Sequence, residues 1–138
     1  MTIKVVFVNG SFDVLHPGHI ALLEFAKLQG DRLIVAIDSD RRIKEKKGFW
    51  RPYFGLRDRE FMLSRLKAVD EVWSFDSDRE LENLIKTFEP DIMVVGSDWK
   101  DKKVIGFEFA KELRFFDRDD NYSTTNILNY GLYNQTVS

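Results

Sequence analysis

Gly10-Ser11-Phe12-Asp13-Val14-Leu15-His16-Pro17-Gly18-His19 follows the apolar run Val5-Val6-Phe7-Val8 and leads into Ile20, Leu22, Leu23, Phe25 and Ala26, which recur at helical spacing. Strand, glycine-bearing turn and helix, in that order, deliver an anion to a helix N-terminus. There, unpaired backbone N–H groups and the positive end of the helix dipole face it. His16 and His19, the two histidines of the chain, stand three residues apart at that turn. Pro17 fixes its own φ and confines His16 to extended backbone, while Gly18 admits a ligand close to the main chain. With Gly18 and His19 opening the helix, both imidazoles can be aimed at one phosphate. Two histidines with no cysteine to complete the set are too few for a zinc site, so no protein-held metal is assigned and phosphate chemistry is the reading.

At 138 residues, with 43% hydrophobic and 32% charged side chains, the chain reads as a single domain, 1–138, large enough for a real core. No stretch approaches the ~18 apolar residues of a membrane span, and the N-terminus runs into a strand pattern without a signal region. A cytoplasmic location and no membrane partner are therefore expected. The absence of cysteine removes disulfides and thiolate nucleophiles. A net charge of -2 argues against a general nucleic-acid coat, although Arg41-Arg42-Ile43-Lys44-Glu45-Lys46-Lys47 is a local basic cluster suited to a small anion.

Strand and helix signals alternate along the chain. Residues 3–9 read as a strand, 19–29 as a helix stopped by Gly30, 32–37 as a second strand, and 39–46 as a short helix capped by Ser39 or Asp40. Gly48 to Gly55 is a loop, Leu56 to Ala68 an amphipathic helix, and Glu71 to Phe75 a short strand. Asp78 is expected to cap a helix burying Leu81, Leu84, Ile85 and Phe88 and ended by Pro90. Ile92 to Gly96 is the next strand, Val104 to Lys111 a helix, Leu113 to Phe116 a last strand, and Ser123 starts a helix to about Leu128. Residues 133–138 read as a loose tail. This alternation predicts an α/β fold, a Rossmann-like doubly wound parallel sheet with helices on both faces. Ligands of such sheets bind outside the carboxyl ends of the strands, so the loops after residues 9, 37, 96 and 117 are expected to converge.

Gly10-Ser11-Phe12-Asp13 ahead of His16-Pro17-Gly18-His19 resembles the signature of the cytidylyltransferase-like, or HxGH, nucleotidyltransferases. Ser123-Thr124-Thr125 resembles the family's second signature, which meets the β and γ phosphates. Alone, Ser123 is an ordinary N-cap and the lysine run an ordinary solvated face. Lys44-x-x-Lys47-Gly48 with Arg51-Pro52 matches the sugar-phosphate members, in which a lysine loop closes over the triphosphate. Ala68-Val69-Asp70, Pro90-Asp91, Val104-Ile105-Gly106 and Ser123 to Ile127 are similar to the heptose 1-phosphate adenylyltransferases. Asp70-Glu71-Val72, Gly96-x-Asp98-Trp99 and Arg118 are similar to glycerol-3-phosphate cytidylyltransferase.

The resemblance implies transfer of a nucleoside monophosphate from ATP or CTP to a sugar or polyol phosphate, with release of pyrophosphate. ADP-heptose, for cell-surface carbohydrate, is the leading product and CDP-glycerol the alternative. A catalytically silent nucleotide sensor is a third reading. His16, His19, Lys44 and Lys47 are the implied catalytic residues. Gly10, Ser11, Phe12, Asp13, Gly18, Arg59, Gly96, Asp98, Arg118, Ser123, Thr124 and Thr125 are the implied nucleotide contacts. Mg²⁺ is expected to arrive with the triphosphate, because it keeps most of its waters and needs few protein ligands. Asp13 has two readings, orienting a metal-bound water or bonding its own turn, the commoner role. Arg59 is either the family's phosphate-facing arginine or a surface arginine, and Trp99 either stacks on a ligand or covers the core. A homodimer is implied by the family, and Phe49, Trp50, Tyr53 and Phe54 belong to its interface or to the acceptor pocket. No kinase segment accompanies these residues, so the phosphorylated acceptor is expected from another enzyme.

Overall fold

Five parallel strands form one sheet in the order β3-β2-β1-β4-β5. In this computed structural model residues 2–117 and 123–129 are described, so Arg118 and the tail at 133–138 lie outside the described residues. The strands are β1 (Val5–Gly10), β2 (Arg32–Asp38), β3 (Glu71–Phe75), β4 (Ile92–Gly96) and β5 (Glu112–Phe116), and the helices are α1 (Pro17–Leu28), α2 (Asp40–Lys47), α3 (Leu56–Ser64) and α4 (Asp78–Phe88). Helical backbone also runs over 124–129.

Alternation along the central strands builds two cores. Val6, Val8, Leu33, Val35 and Ile37 face α1 and α3 through Leu23, Ala26 and Leu63. Phe7, Ile34, Ala36 and Met93 face α4 through Leu81 and Ile85. The chain therefore winds along one face from β1 to β3, then crosses back to lay down β4 and β5 under the other. The strand order reverses between β1 and β4, where the carboxyl ends open a crevice.

At the opposite edge of the sheet three aspartates latch the strand starts. Asp31, Asp91 and Asp70 accept the amides of Lys4, Val5 and Leu33 at 2.8, 2.8 and 2.7 Å.

Several element boundaries differ from the sequence expectation. Helix α1 begins at Pro17, two residues early, because proline suits the first helical position and His16 supplies the cap. Ser77, not Asp78, caps α4 by accepting the Glu80 amide. Helix α3 ends at Ser64, and the following turns tuck Val69 into the core. No helix runs from Val104 to Lys111. A 3-10 turn, Phe107–Phe109, stands there instead, because Gly106 has a φ of 78° and a Cβ on it would lie 2.5 Å from Ile85 Cδ1.

Candidate active site

Between β1 and β4 a cavity of about 470 Å³ collects residues from the carboxyl ends of the strands and from 123–125. His16, Gly18 and His19 line it from the start of α1. Gly10, Ser11 and Phe12 line it from the loop after β1, Gly96 and Asp98 from the end of β4, and Ser123, Thr124 and Thr125 from the far side. The loop after β1 is strained: Phe12 and Val14 have φ of 50° and 52°, a left-handed conformation that is costly for a β-branched residue. Gly10 belongs in this turn because a Cβ there would sit 3.1 Å from the Phe12 ring.

The histidines are built into the helix start. His16 Nδ1 accepts the amides of Gly18 and His19 at 3.1 and 3.4 Å, while His19 Nδ1 accepts the His16 amide at 3.3 Å. This is a reciprocal capping box made of imidazoles. An Nδ1 that accepts an N–H carries no proton, so in the neutral ring the proton sits on Nε2. Each ring thus presents one Nε2–H donor. Phe12 packs against His19, ring centroids 5.3 Å apart, and holds that ring from the side.

Asp13 is a structural anchor in place of the expected nucleotide contact. It is fully buried, and its carboxylate accepts the amides of Tyr53 and Phe54 at 2.6 and 2.9 Å, with Arg51 Nε at 3.6 Å. Its own carbonyl accepts the Thr124 hydroxyl. The carboxylate bonds the 48–55 loop and is absent from the cavity wall.

Arg59, expected at the nucleotide, is likewise absent from the cavity wall. It is 0% exposed, and its guanidinium donates to the carbonyls of Phe54, Ser11 and Asp38 and to Asp40 Oδ1 at 2.7–3.0 Å. Those contacts pin the loops after β1 and β2 to α3. Four of its five N–H donors are thus engaged within the protein.

Lys47 lines the cavity as expected, joined by Lys46, while Lys44 lies a turn back on α2 outside the wall. Two hydroxyls of the Ser123-Thr124-Thr125 stretch also make bonds within the protein. Ser123 Oγ caps its helix by accepting the Asn126 amide at 3.0 Å, and Thr125 Oγ1 accepts from Arg51 at 3.2 Å. Phe49, Trp50 and Tyr53 are exposed and outside the cavity wall, so they do not line the pocket between β1 and β4. Trp99 does line it, half-exposed.

Sequence reasoning missed Asn9, Asp38 and Arg42, all on the cavity wall. Asp38 ends β2 and Ser39 caps α2 by accepting the Arg42 amide at 3.2 Å. That geometry turns Arg42 back onto the strand end, where its Nε donates to Asp38 Oδ1 at 2.7 Å and its Nη2 to Asp78 Oδ1 at 2.6 Å. Burial pulls the guanidinium pKa down, but the hydrogen bonds to Asp78 and Asp38 outweigh it and hold it above its ordinary value. The readable signal was the Asp38-x-x-x-Arg42 spacing across a strand–helix junction. Beside it, Asp76 is held below the usual carboxylate range, first by the Ser39 hydroxyl and then by Arg41.

No group of three or more histidine or carboxylate side chains suited to hold a metal ion occurs among the described residues. The Asp13 carboxylate accepts backbone amides and that of Asp38 accepts from Arg42.

The family model for cytidylyltransferase-like domains matches residues 7–129, a span that takes in the switch-point crevice, the histidines at the helix start and the Ser-Thr-Thr opposite them. The chain belongs to the cytidylyltransferase-like family. Two relatives are each named bifunctional protein HldE. That of Campylobacter fetus subsp. fetus is 52% identical and that of Helicobacter pylori strain Shi470 is 46% identical, both over 125 residues. Each alignment covers 91% of this chain and 27% of the relative, so the chain spans about a quarter of their length. Among solved structures, a lipopolysaccharide core biosynthesis protein from Thermoplasma volcanium superposes with a TM-score of 0.71 at 26% identity, over 86% of this chain and 100% of that one. No helix among the described residues of this cytidylyltransferase-like domain is long and apolar enough to cross a membrane.

Proposed function

We propose that the protein is a nucleotidyltransferase that joins a nucleoside monophosphate to a sugar or polyol phosphate. The observation that carries this is the pair of tautomer-fixed imidazoles on the wall of a switch-point cavity shared with Ser123, Thr124 and Thr125. An acceptor phosphate oxygen attacks the α-phosphorus of the triphosphate, the bond to the bridging oxygen breaks, and pyrophosphate leaves. The acceptor is largely a dianion at neutral pH, with a second pKa of ~6, so no general base is required.

The protein's task is to align two anions and to place donors where charge grows. The Nε2–H of His19 serves the α-phosphate and that of His16 the α–β bridge. Lys44 and Lys47 supply charge to the triphosphate from α2, and Ser123, Thr124 and Thr125 meet its β and γ phosphates. Mg²⁺ bound to the triphosphate supplies charge neutralisation when present. Gly96 and Asp98 sit at the nucleoside end of the crevice.

ATP and heptose 1-phosphate are the leading substrates, supported by the 52% and 46% identity to proteins named HldE. CTP and glycerol 3-phosphate are the second reading, favoured by Asp98 and Trp99 on the cavity wall. A homodimer in the cytoplasm is the assembly and location inferred from the family. Pyrophosphate release with Mg²⁺, measured for ATP and CTP against both acceptors, decides between them. Release with ATP and the heptose phosphate alone supports the first reading, and release with CTP and glycerol phosphate alone replaces it. Nucleotide binding without release in any pairing contradicts both and leaves a different acceptor phosphate or a sensor.

A further inference from the structure

Asp38 is an acidic side chain on the wall of a cavity proposed to receive a polyanion. Its side chain is 14% exposed and that of Arg42 is 9% exposed, so solvent screens the pair weakly, whereas Asp78, the second partner of Arg42, is 69% exposed. Arg42 is further confined by the Phe75 ring, 5.2 Å from its guanidinium carbon.

The attachment of α2 does not depend on this arginine alone. Ser39 Oγ donates to Asp76 Oδ1 at 2.5 Å, and Arg41 donates to the same carboxylate at 3.0 Å and to the Asp76 carbonyl at 2.5 Å. Arg42 is thus redundant as a tether for the helix. It is not redundant as a charge, because among the described residues Arg42 is the cation whose side chain bonds the Asp38 carboxylate.

We propose that Arg42 is a positioning residue that acts through Asp38: it cancels the carboxylate's charge and so makes the wall beside Lys46 and Lys47 acceptable to a nucleoside triphosphate. The inference rests on the nucleotidyltransferase reading and deepens it. Asp38 in turn aims Arg42 along the end of β2, so that the strand end shows the crevice a paired carboxylate in place of a bare one.

The sign of one substitution separates this from a purely mechanical clamp. In Asp38→Asn the arginine keeps Asp78 and Phe75 while the cavity wall loses one negative charge, so triphosphate affinity rises. A clamp, having lost one jaw, predicts equal or weaker binding. Isothermal titration with α,β-methylene ATP and α,β-methylene CTP, each with Mg²⁺, measures the effect without turnover.

Changing one unit charge at the effective dielectric of a protein wall is expected to alter affinity for a polyanion about tenfold. Asp38→Asn is expected to bind more tightly by about that factor and Arg42→Met more weakly by a similar one. The double variant, with neither charge, is expected to return to within about twofold of the unmodified protein. Equal or weaker binding by Asp38→Asn overturns the proposal, as does a double variant as weak as Arg42→Met. Should Arg42→Met fail to fold, Asp38→Asn alone decides. Absence of binding to the unmodified protein overturns the nucleotide reading itself, and that outcome is seen before any variant is made.

Discussion

The His16 and His19 rings stack face to face, their centroids 3.7 Å apart and their planes 21° from parallel. Each spends its Nδ1 on a backbone amide of the turn they share. One pair of side chains therefore does two jobs, closing the first turn of α1 and presenting two Nε2–H donors. Asparagine can do the first job and not the second, since its carboxamide oxygen caps a helix well. His16→Asn is expected to keep the melting temperature close to that of the unmodified protein while turnover falls ~100- to 1000-fold. His16→Ala should lose the same turnover and also ~1 kcal/mol of stability. Retained turnover in the asparagine variant would remove His16 from the chemistry.

Arg59 sits at a crossing of four segments, bonded to Ser11, Asp38, Asp40 and Phe54. Removing it leaves three part-buried carbonyls and the half-exposed Asp40 carboxylate without that donor. Arg59→Leu is expected to cost about 1–3 kcal/mol in chemical denaturation. Stability within error of the parent, together with weakened nucleotide binding, would instead restore it as a phosphate ligand.

Gly106 is expected to tolerate no side chain. Alanine there combines a strained φ with a Cβ driven into Ile85, so a loss of roughly 1–3 kcal/mol is expected. Gly48 has a φ of 106°, but a Cβ added to it would meet nothing within 4 Å, so Gly48→Ala should cost less than Gly106→Ala. Denaturant midpoints of the two variants, compared side by side, check the order.

Acid stability follows from the strand latches. Partial burial alone would raise the Asp70 pKa, but Lys27, the Leu33 amide and the nearby charge of Arg32 outweigh it and hold it below the ordinary value. Asp91 is held low by the Val5 amide and then by Lys111. A carboxylate whose pKa is depressed on folding stabilises the fold above its unfolded value of ~3.9, and the contribution is lost as pH falls through the folded value. These groups are therefore silent from about pH 5 to 7, and the melting temperature should fall below about pH 4. Asp70→Asn should melt lower at neutral pH and show a shallower acid slope. Identical slopes for the two proteins would show that another group controls the transition.

Much of this architecture was legible because the information is local. The apolar runs of β1, β2 and β4 and the Gly10 to His19 turn fix strand, crevice and helix within a few residues of one another. The reversal of winding was legible as a class, since α/β alternation leaves few alternatives. Contacts between distant segments were not. Nothing in the sequence near Asp13 shows that its carboxylate meets amides 40 and 41 residues away, or that Arg59 points inward, because both depend on where a loop returns. The expected helix at 104–111 failed because Gly106 takes a φ of 78°, outside the helical region, and the spacing of apolar residues does not show which conformation a glycine adopts.

Asp13 grips the 48–55 loop by main-chain N–H groups and ignores the side chains attached to them. The anchor is thus blind to residue identity at 53 and 54, proline excepted, since only proline lacks the donor. Tyr53 can be exchanged for almost any residue while the loop stays moored. The exposed aromatics beside it are free to diverge with whatever they meet, like interchangeable tips on a fixed handle, while the crevice beneath stays as it is.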